Sequence, residues 1–230
     1  MDPSWSLYNM ARLQRGLDAF ANPADLAHAT ELRGKQLYER MCPLLVKIYA
    51  RSQDGQPAGE FSGFLYSSSC DSIISAAHIV GHTGNPPGSG PPAELFKARY
   101  FDGFEEDVEV LKSAPNNLPD VAILRGSRRA PRSLGGMLCS KGETVYAFGF
   151  SLSVIAPCIS NGVLSNDGVA RMTIAIHADS GYLGGPVVNV HGKLVGIING
   201  GLGTAAMQVV LTPGADVHTF LLQSGQPGLA

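Results

Sequence analysis

The chain has 230 residues and a formal net charge of −2, from 17 basic and 19 acidic side chains. This balance provides no basic surface of the kind that binds nucleic acid or an anionic membrane, so we expect neither as a partner. The length suffices for one large domain or two small lobes, and 28 glycines with 15 prolines indicate many short strands joined by turns.

The first 42 residues follow a helical pattern rather than a strand pattern. Apolar residues recur at spacings of three and four from Leu7 to Phe20, and Asn22-Pro23 interrupts the pattern before a second helical stretch. We therefore predict an N-terminal helical extension over residues 1–42, followed by one domain over residues 43–230. The opening residues mix charges with apolar side chains where a secretory signal needs an unbroken apolar core, so we expect a cytoplasmic or nuclear protein.

After Pro43 the sequence changes to short apolar or alternating runs that are separated by turn residues. The predicted strands lie at residues 44–50, 60–68, 72–80, 94–102, 106–112, 121–126, 143–150, 156–165, 170–177, 185–200 and 205–212. Some eleven or twelve strands, with a single strong helical run after them at 217–223, predict an all-β fold of two packed antiparallel barrels. The Pro/Gly/Ser-rich residues 82–92 are predicted to form a surface loop, and the arginine-rich residues 125–136 to connect the barrels.

Two residues in these runs are candidates for acid–base chemistry. His78 lies near the end of the apolar run 72–80, and Asp120 directly precedes the apolar run 121–126. Taken singly, each has a structural explanation, as a core histidine and as a turn aspartate. If the two meet, Asp120 can accept the Nδ1 proton of His78 and hold the imidazole in one tautomer.

Three segments of the sequence resemble the trypsin-like serine proteases, and among them the HtrA/Deg group. They are SAAH at 75–78, DVAIL at 120–124 and GYLGGPVVN at 181–189. Each segment alone is a weak signal, but all three occur in the order that the family has.

The resemblance covers residues from about Pro43 to Thr212 and implies the chymotrypsin type of fold, with two antiparallel β-barrels. It implies that His78 is the general base and that Asp120 orients it. It also implies a polypeptide substrate or peptide ligand.

The resemblance leaves two alignments open for the nucleophile. Without a gap, GYLGGP matches the family's Gly-x-Ser-Gly-Gly-Pro, and Leu183 takes the place of the serine. Gly181 and Leu183 then supply the backbone amides of the oxyanion hole, but leucine has no proton to give to a general base. This alignment predicts a catalytically impaired domain that binds peptides.

In the alternative alignment Ser180 is the nucleophile of an active endopeptidase, and Tyr182-Leu183 is an insertion before the glycine pair. This places Ala178 where the family has a glycine, and it inserts residues into the turn that must hold both oxyanion amides. We therefore favour the alignment that places Leu183 at the nucleophile position.

The sequence indicates no metal site and no cofactor. Its six histidines show no HExxH or similar ligand spacing, and its cysteines lie too far apart for a zinc knuckle. Buried free thiols are the simplest prediction for the four cysteines, Cys42, Cys70, Cys139 and Cys158.

Overall fold

The structure is a computed structural model. It describes residues 33–81, 92–114, 118–136, 139–152, 154–168, 171–201 and 208–229. The chain divides into two compact units, residues 1–38 and 39–230. The predicted helical extension falls largely outside the described residues, apart from helix α1 at residues 33–41, and so does the predicted loop over 82–92.

Six antiparallel strands form a first closed barrel in the order β1-β2-β3-β6-β5-β4. These strands are β1 (Leu45–Arg51), β2 (Pro57–Leu65), β3 (Ser72–Ser75), β4 (Leu95–Tyr100), β5 (Glu105–Ser113) and β6 (Ala122–Arg125). Branched and aromatic side chains fill the interior, and Ile48, Phe64, Ile74 and Ile123 are all buried. Such side chains suit the pleated, half-buried surface of a strand, which is why these runs form strands.

Six further strands form a second closed barrel in the order β10-β11-β12-β9-β8-β7. These strands are β7 (Thr144–Gly149), β8 (Cys158–Gly168), β9 (Arg171–Ala175), β10 (Pro186–Asn189), β11 (Leu194–Gly201) and β12 (Gln208–Pro213). The predicted run 185–200 is divided into β10 and β11 by a turn at Gly192, whose φ of 71° favours glycine. Helix α2 (Gly214–Gln223) follows β12 directly.

The prediction of an all-β fold with two antiparallel barrels is confirmed. Several strands were predicted too long, and the difference that affects the site is at β3. This strand ends at Ser75, and His78 lies on a 3-10 turn at Ala77–Ile79 rather than at the end of a strand. The apolar run continues past the strand because Ala77 and Ile79 are also buried, so hydrophobicity alone did not reveal where the strand ends.

The arginine-rich connection between β6 and β7 is tied to the first barrel and to Arg40. Arg128 forms an ion pair of 3.0 Å with Asp102 and lies over the ring of Phe104 at 4.5 Å. Arg132 donates a hydrogen bond of 2.9 Å to the carbonyl of Arg40. Two of the arginines in this connection are therefore engaged with neighbouring residues.

Candidate active site

His78 and Asp120 meet through two hydrogen bonds. The backbone N–H of His78 donates to Asp120 Oδ1 at 2.9 Å, and His78 Nδ1 lies 2.7 Å from Asp120 Oδ2. Because a carboxylate only accepts hydrogen bonds, this contact places the proton of a neutral imidazole on Nδ1 and leaves Nε2 as an acceptor. The arrangement is that of a general base held in one tautomer by a carboxylate.

Local structure accounts for the position of each partner. The 3-10 turn after β3 turns His78 out of the strand, and its side chain is 23% exposed, while that of Asp120 is only 12% exposed. A cis peptide bond joins Leu118 to Pro119 immediately before Asp120. The hydroxyl of Thr212 on β12 donates to the carbonyl of Asp120 at 3.3 Å. The pair therefore lies where a strand of the second barrel contacts the first barrel.

The turn between β9 and β10 contains both candidate nucleophile positions. A short 3-10 helix, Ser180–Tyr182, is capped by Asp179, whose Oδ1 accepts a 2.9 Å hydrogen bond from the N–H of Gly181. The other carboxylate oxygen of Asp179 accepts a hydrogen bond from Ser151 Oγ, in the segment that follows β7. The turn is thus a compact unit that is held at its start by one carboxylate.

Gly184 packs this turn tightly against the segment that leads to His78. Its φ of 84° is in the left-handed region, and a Cβ atom there would lie 2.1 Å from Ser75 Oγ and 2.3 Å from the carbonyl oxygen of Ser62. A side chain of any size is therefore excluded by both conformation and space. The observed geometry thus explains the first glycine of the Gly-Gly-Pro motif.

Ser62 on β2 joins the two barrels at this turn, and sequence reasoning did not single it out. Its N–H donates to the carbonyl of Leu183 at 2.8 Å, and its hydroxyl donates to the carbonyl of Gly181 at 2.7 Å. The same hydroxyl accepts from the N–H of Phe150 at 2.9 Å, and Ser75 Oγ donates to the Ser62 carbonyl at 2.8 Å. The sequence signal for this role was a serine between the apolar residues Phe61 and Phe64, and the structure shows that Ser62 is fully buried.

Both backbone amides that were predicted to form the oxyanion hole already have partners within the turn. The N–H of Gly181 donates to Asp179, and the N–H of Leu183 donates to the carbonyl of Ser180 at 3.3 Å. An oxyanion hole needs donors that converge on an empty position, so in this conformation neither amide is available to a substrate carbonyl.

The side chains at positions 180 and 183 differ in their surroundings. Leu183 packs, partly buried, against the hydrophobic core of the second barrel. Ser180 is partly exposed, and its hydroxyl makes no hydrogen bond to a residue that the structure describes. Within the same described residues, His78 Nε2 also has no hydrogen-bond partner, so Ser180 does not contact the imidazole as a bonded nucleophile would.

A buried lysine holds the segment after β7 against the first barrel. Lys47 on β1 is 2% exposed, and its Nζ donates to the carbonyl of Val154 at 3.1 Å and pairs with Glu60 at 2.7 Å. The N–H of Val154 in turn donates to the carbonyl of Ser151. The first barrel therefore supports the residue whose hydroxyl binds Asp179.

Two closed antiparallel barrels with a His–Asp pair at their contact define the chymotrypsin type of fold. The family model described as trypsin-like peptidase domain matches residues 61–197, which is more than half of the chain. The chain belongs to this family, and it is a trypsin-like serine protease domain. This confirms the family that the three sequence segments indicated.

Among solved structures, the chain is similar to the serine endoprotease from Yersinia pestis, with 21% identity and a TM-score of 0.68. The similarity covers 83% of this chain and 65% of that chain, and at this identity it is a similarity of fold. No curated protein matches the sequence.

All four cysteines lie in the part of the chain that the structure describes, and all four are free thiols. Cys42 and Cys139 are buried as predicted, but Cys70 and Cys158 are partly exposed. These two lie at the ends of strands or in turns, where the side chain is only half covered. In the described residues, no helix has the length and hydropathy that crossing a membrane requires.

Proposed function

We propose that this trypsin-like domain binds extended peptides and is catalytically impaired, because Leu183 occupies the position of the nucleophile. The observation that carries the proposal is the position of residue 183 in the turn. Its carbonyl is bound by Ser62 of the opposite barrel, and it directly precedes Gly184, which packs on the segment leading to His78. A leucine at this position cannot give a proton to the imidazole.

The state of the two amides also supports impairment. Gly181 N–H and Leu183 N–H are the donors that would stabilise a developing oxyanion, and both are already bonded inside the turn. Removing one such donor costs enzymes of this type about 10²–10³ in rate. The turn as it stands therefore lacks both the nucleophile and the donors that would stabilise the intermediate.

Peptide binding is proposed along the open end of β11. The barrels are closed, but β10 pairs with β11 only as far as Ile197, so residues 199–201 pair with β12 alone and their other edge has no strand partner among the described residues. Such an edge can accept an extended peptide by strand addition. Near the end of β11, a Cβ atom at Gly200 would meet no atom of a described residue within 4 Å. A glycine with open space above it lets the backbone of a peptide approach closely.

An active endopeptidase with Ser180 as nucleophile is the alternative. One observation favours it: the Ser180 hydroxyl is partly exposed and carries no hydrogen bond within the described residues, while the His78–Asp120 pair is complete. Catalytic hydrogen bonds are often long in the absence of substrate, so an active Ser180 is compatible with the missing contact between Ser180 and His78.

Hydrolysis of a fluorescently labelled casein distinguishes the two functions. We expect the wild-type chain and Ser180→Ala to be equally inert. Leu183→Ser should gain slow hydrolysis, because both oxyanion donors stay bonded inside the turn, and this gain should be lost again when His78→Ala is added. If the wild-type chain hydrolyses casein and Ser180→Ala does not, the impaired-domain proposal is wrong. The folded state of every variant is checked by circular dichroism.

The remaining expectations stay proposals. A cytoplasmic or nuclear location is supported by four free thiols, since secreted domains of this size commonly form disulfides. The absence of a cofactor, of a metal and of a nucleic-acid partner remains a prediction from the sequence. A peptide is the partner that the family and the open end of β11 favour.

A further inference from the structure

The peptide unit between Ser180 and Gly181 occupies both predicted oxyanion donors. Its N–H, which belongs to Gly181, donates to Asp179 Oδ1 at 2.9 Å. Its carbonyl, which belongs to Ser180, accepts the N–H of Leu183 at 3.3 Å. Because a peptide group is planar, rotating this one unit would break both hydrogen bonds together and free both amides.

The bond to Asp179 is the stronger of the two. It is shorter, and its acceptor is a carboxylate, which makes it a charge-assisted hydrogen bond, whereas the contact from Leu183 is a long bond between neutral groups. Asp179 is therefore the group that determines which way the peptide unit points.

Asp179 is itself held by a residue from another segment. Ser151 Oγ donates to the second carboxylate oxygen, and the sequence separation of 28 residues means that this contact is a feature of the fold. The segment of Ser151 is fixed in turn by Lys47, which is buried and bound to the carbonyl of Val154. A path of hydrogen bonds thus runs from the first barrel to the amide of Gly181.

We propose that Asp179 and Ser151 form an autoinhibitory lock, which holds the Ser180–Gly181 peptide unit so that the N–H of Gly181 cannot bind a peptide carbonyl. The inference rests on the proposed function, in that it takes Gly181 as an oxyanion donor. A peptide carbonyl oxygen has to displace the Asp179 carboxylate before it can reach this amide. The lock is a property of this chain's own side chains and is separate from the loss of the nucleophile.

Amide hydrogen exchange at Gly181 tests the lock without any hydrolysis. Labelling with ¹³C-carbonyl serine and ¹⁵N-glycine selects only the Ser–Gly pairs of the chain in a carbonyl-edited NMR spectrum, at Gly63, Gly90, Gly181 and Gly225. We expect the exchange rate of the Gly181 amide to rise about ten- to a hundredfold in Asp179→Ala, because a charge-assisted hydrogen bond is lost. Ser151→Ala is expected to give a smaller rise of several-fold.

Two controls make the result specific. Gly225 N–H donates to Leu222 at 3.1 Å in a turn after α2, and its exchange rate should be the same in all variants. Asp107→Ala, an exposed aspartate of β5, should leave the exchange at Gly181 unchanged.

A Gly181 exchange rate within about twofold of the wild type in a folded Asp179→Ala protein would overturn the proposal. If Asp179→Ala does not fold, the Gly181 exchange rate is measured in Ser151→Ala, which removes only one hydroxyl group. A rate within about twofold of the wild type in that variant would also overturn the proposal. The measurement needs no active enzyme, so it remains decisive even if Leu183→Ser never gains hydrolysis. Conversely, casein hydrolysis by the wild-type chain would refute impairment and leave the exchange result as it stands.

Discussion

Replacing Gly184 with alanine should destabilise the domain far more than the same change at Gly55. Both glycines have a φ of 84°, so an alanine at either position meets the same conformational strain, of about 1–2 kcal/mol. At Gly55 the new Cβ atom would have no neighbour within 4 Å in the part of the chain that the structure describes. At Gly184 it would lie 2.1 Å from Ser75 Oγ and 2.3 Å from the backbone oxygen of Ser62.

The difference between the two variants therefore isolates the packing of the turn. Forcing extra volume into a packed core costs about 1–3 kcal/mol, and more when a backbone atom has to move. We expect Gly55→Ala to lower the free energy of unfolding by about 1–2 kcal/mol, and Gly184→Ala to lower it by about 3–5 kcal/mol.

Equilibrium unfolding in urea, followed by circular dichroism and by tyrosine fluorescence, measures both values. Coincident transitions from the two probes show whether a two-state analysis applies. If Gly184→Ala costs no more than Gly55→Ala, the tight contact between the turn and the segment before His78 is not present in solution, and the geometry of the site has to be revised.

Three further substitutions test other contacts of the site. Ser62→Ala should lower the free energy of unfolding in urea by about 2–4 kcal/mol, because the carbonyl of Gly181 and the N–H of Phe150 lose their buried partner. A loss below about 0.5 kcal/mol, as at an ordinary surface position, would refute this expectation. Glu60→Ala should destabilise by about 1–2 kcal/mol, more than Lys47→Met, because it leaves the buried ammonium group of Lys47 without its ion pair, whereas the Glu60 side chain is 37% exposed. Equal costs for the two variants would contradict this. Burial raises the pKa of the Tyr182 phenol to about 12, above its usual value near 10. The neutral phenol therefore stabilises the folded state fully below pH 10, and this stabilisation is lost as the pH rises through 12. Between pH 10 and 12 the free energy of unfolding should decline less in Tyr182→Phe than in the wild type, by up to about 2–3 kcal/mol, and an identical decline in both proteins would contradict the raised pKa of Tyr182.

The fold was largely predictable because its signal is local. Alternating and apolar runs between Gly and Pro residues predicted strands at nearly every place where the structure has one, and their number suited two barrels. The meeting of His78 and Asp120 was also foreseen, from short motifs in the order of a known family.

The contacts that hold the turn were not predictable in this way. Ser62 and Gly181 are 119 residues apart, and Lys47 and Val154 are 107 apart, so no local periodicity relates them. Ser62 and Lys47 were visible in the sequence only as polar residues between apolar ones, which signals a buried partner without identifying it. The engagement of Gly181 by Asp179 depends on backbone direction within one turn, which the sequence motif does not encode.

The position of the nucleophile is the central claim, and covalent labelling with a fluorophosphonate probe tests it most directly. The wild-type chain, Leu183→Ser and Ser180→Ala are treated with the probe, and the modified residue is located by mass spectrometry. We predict no labelling of the wild-type chain, and labelling of Leu183→Ser at position 183 that disappears when His78→Ala is added. Labelling of the wild-type chain at Ser180, abolished in Ser180→Ala, would contradict the account.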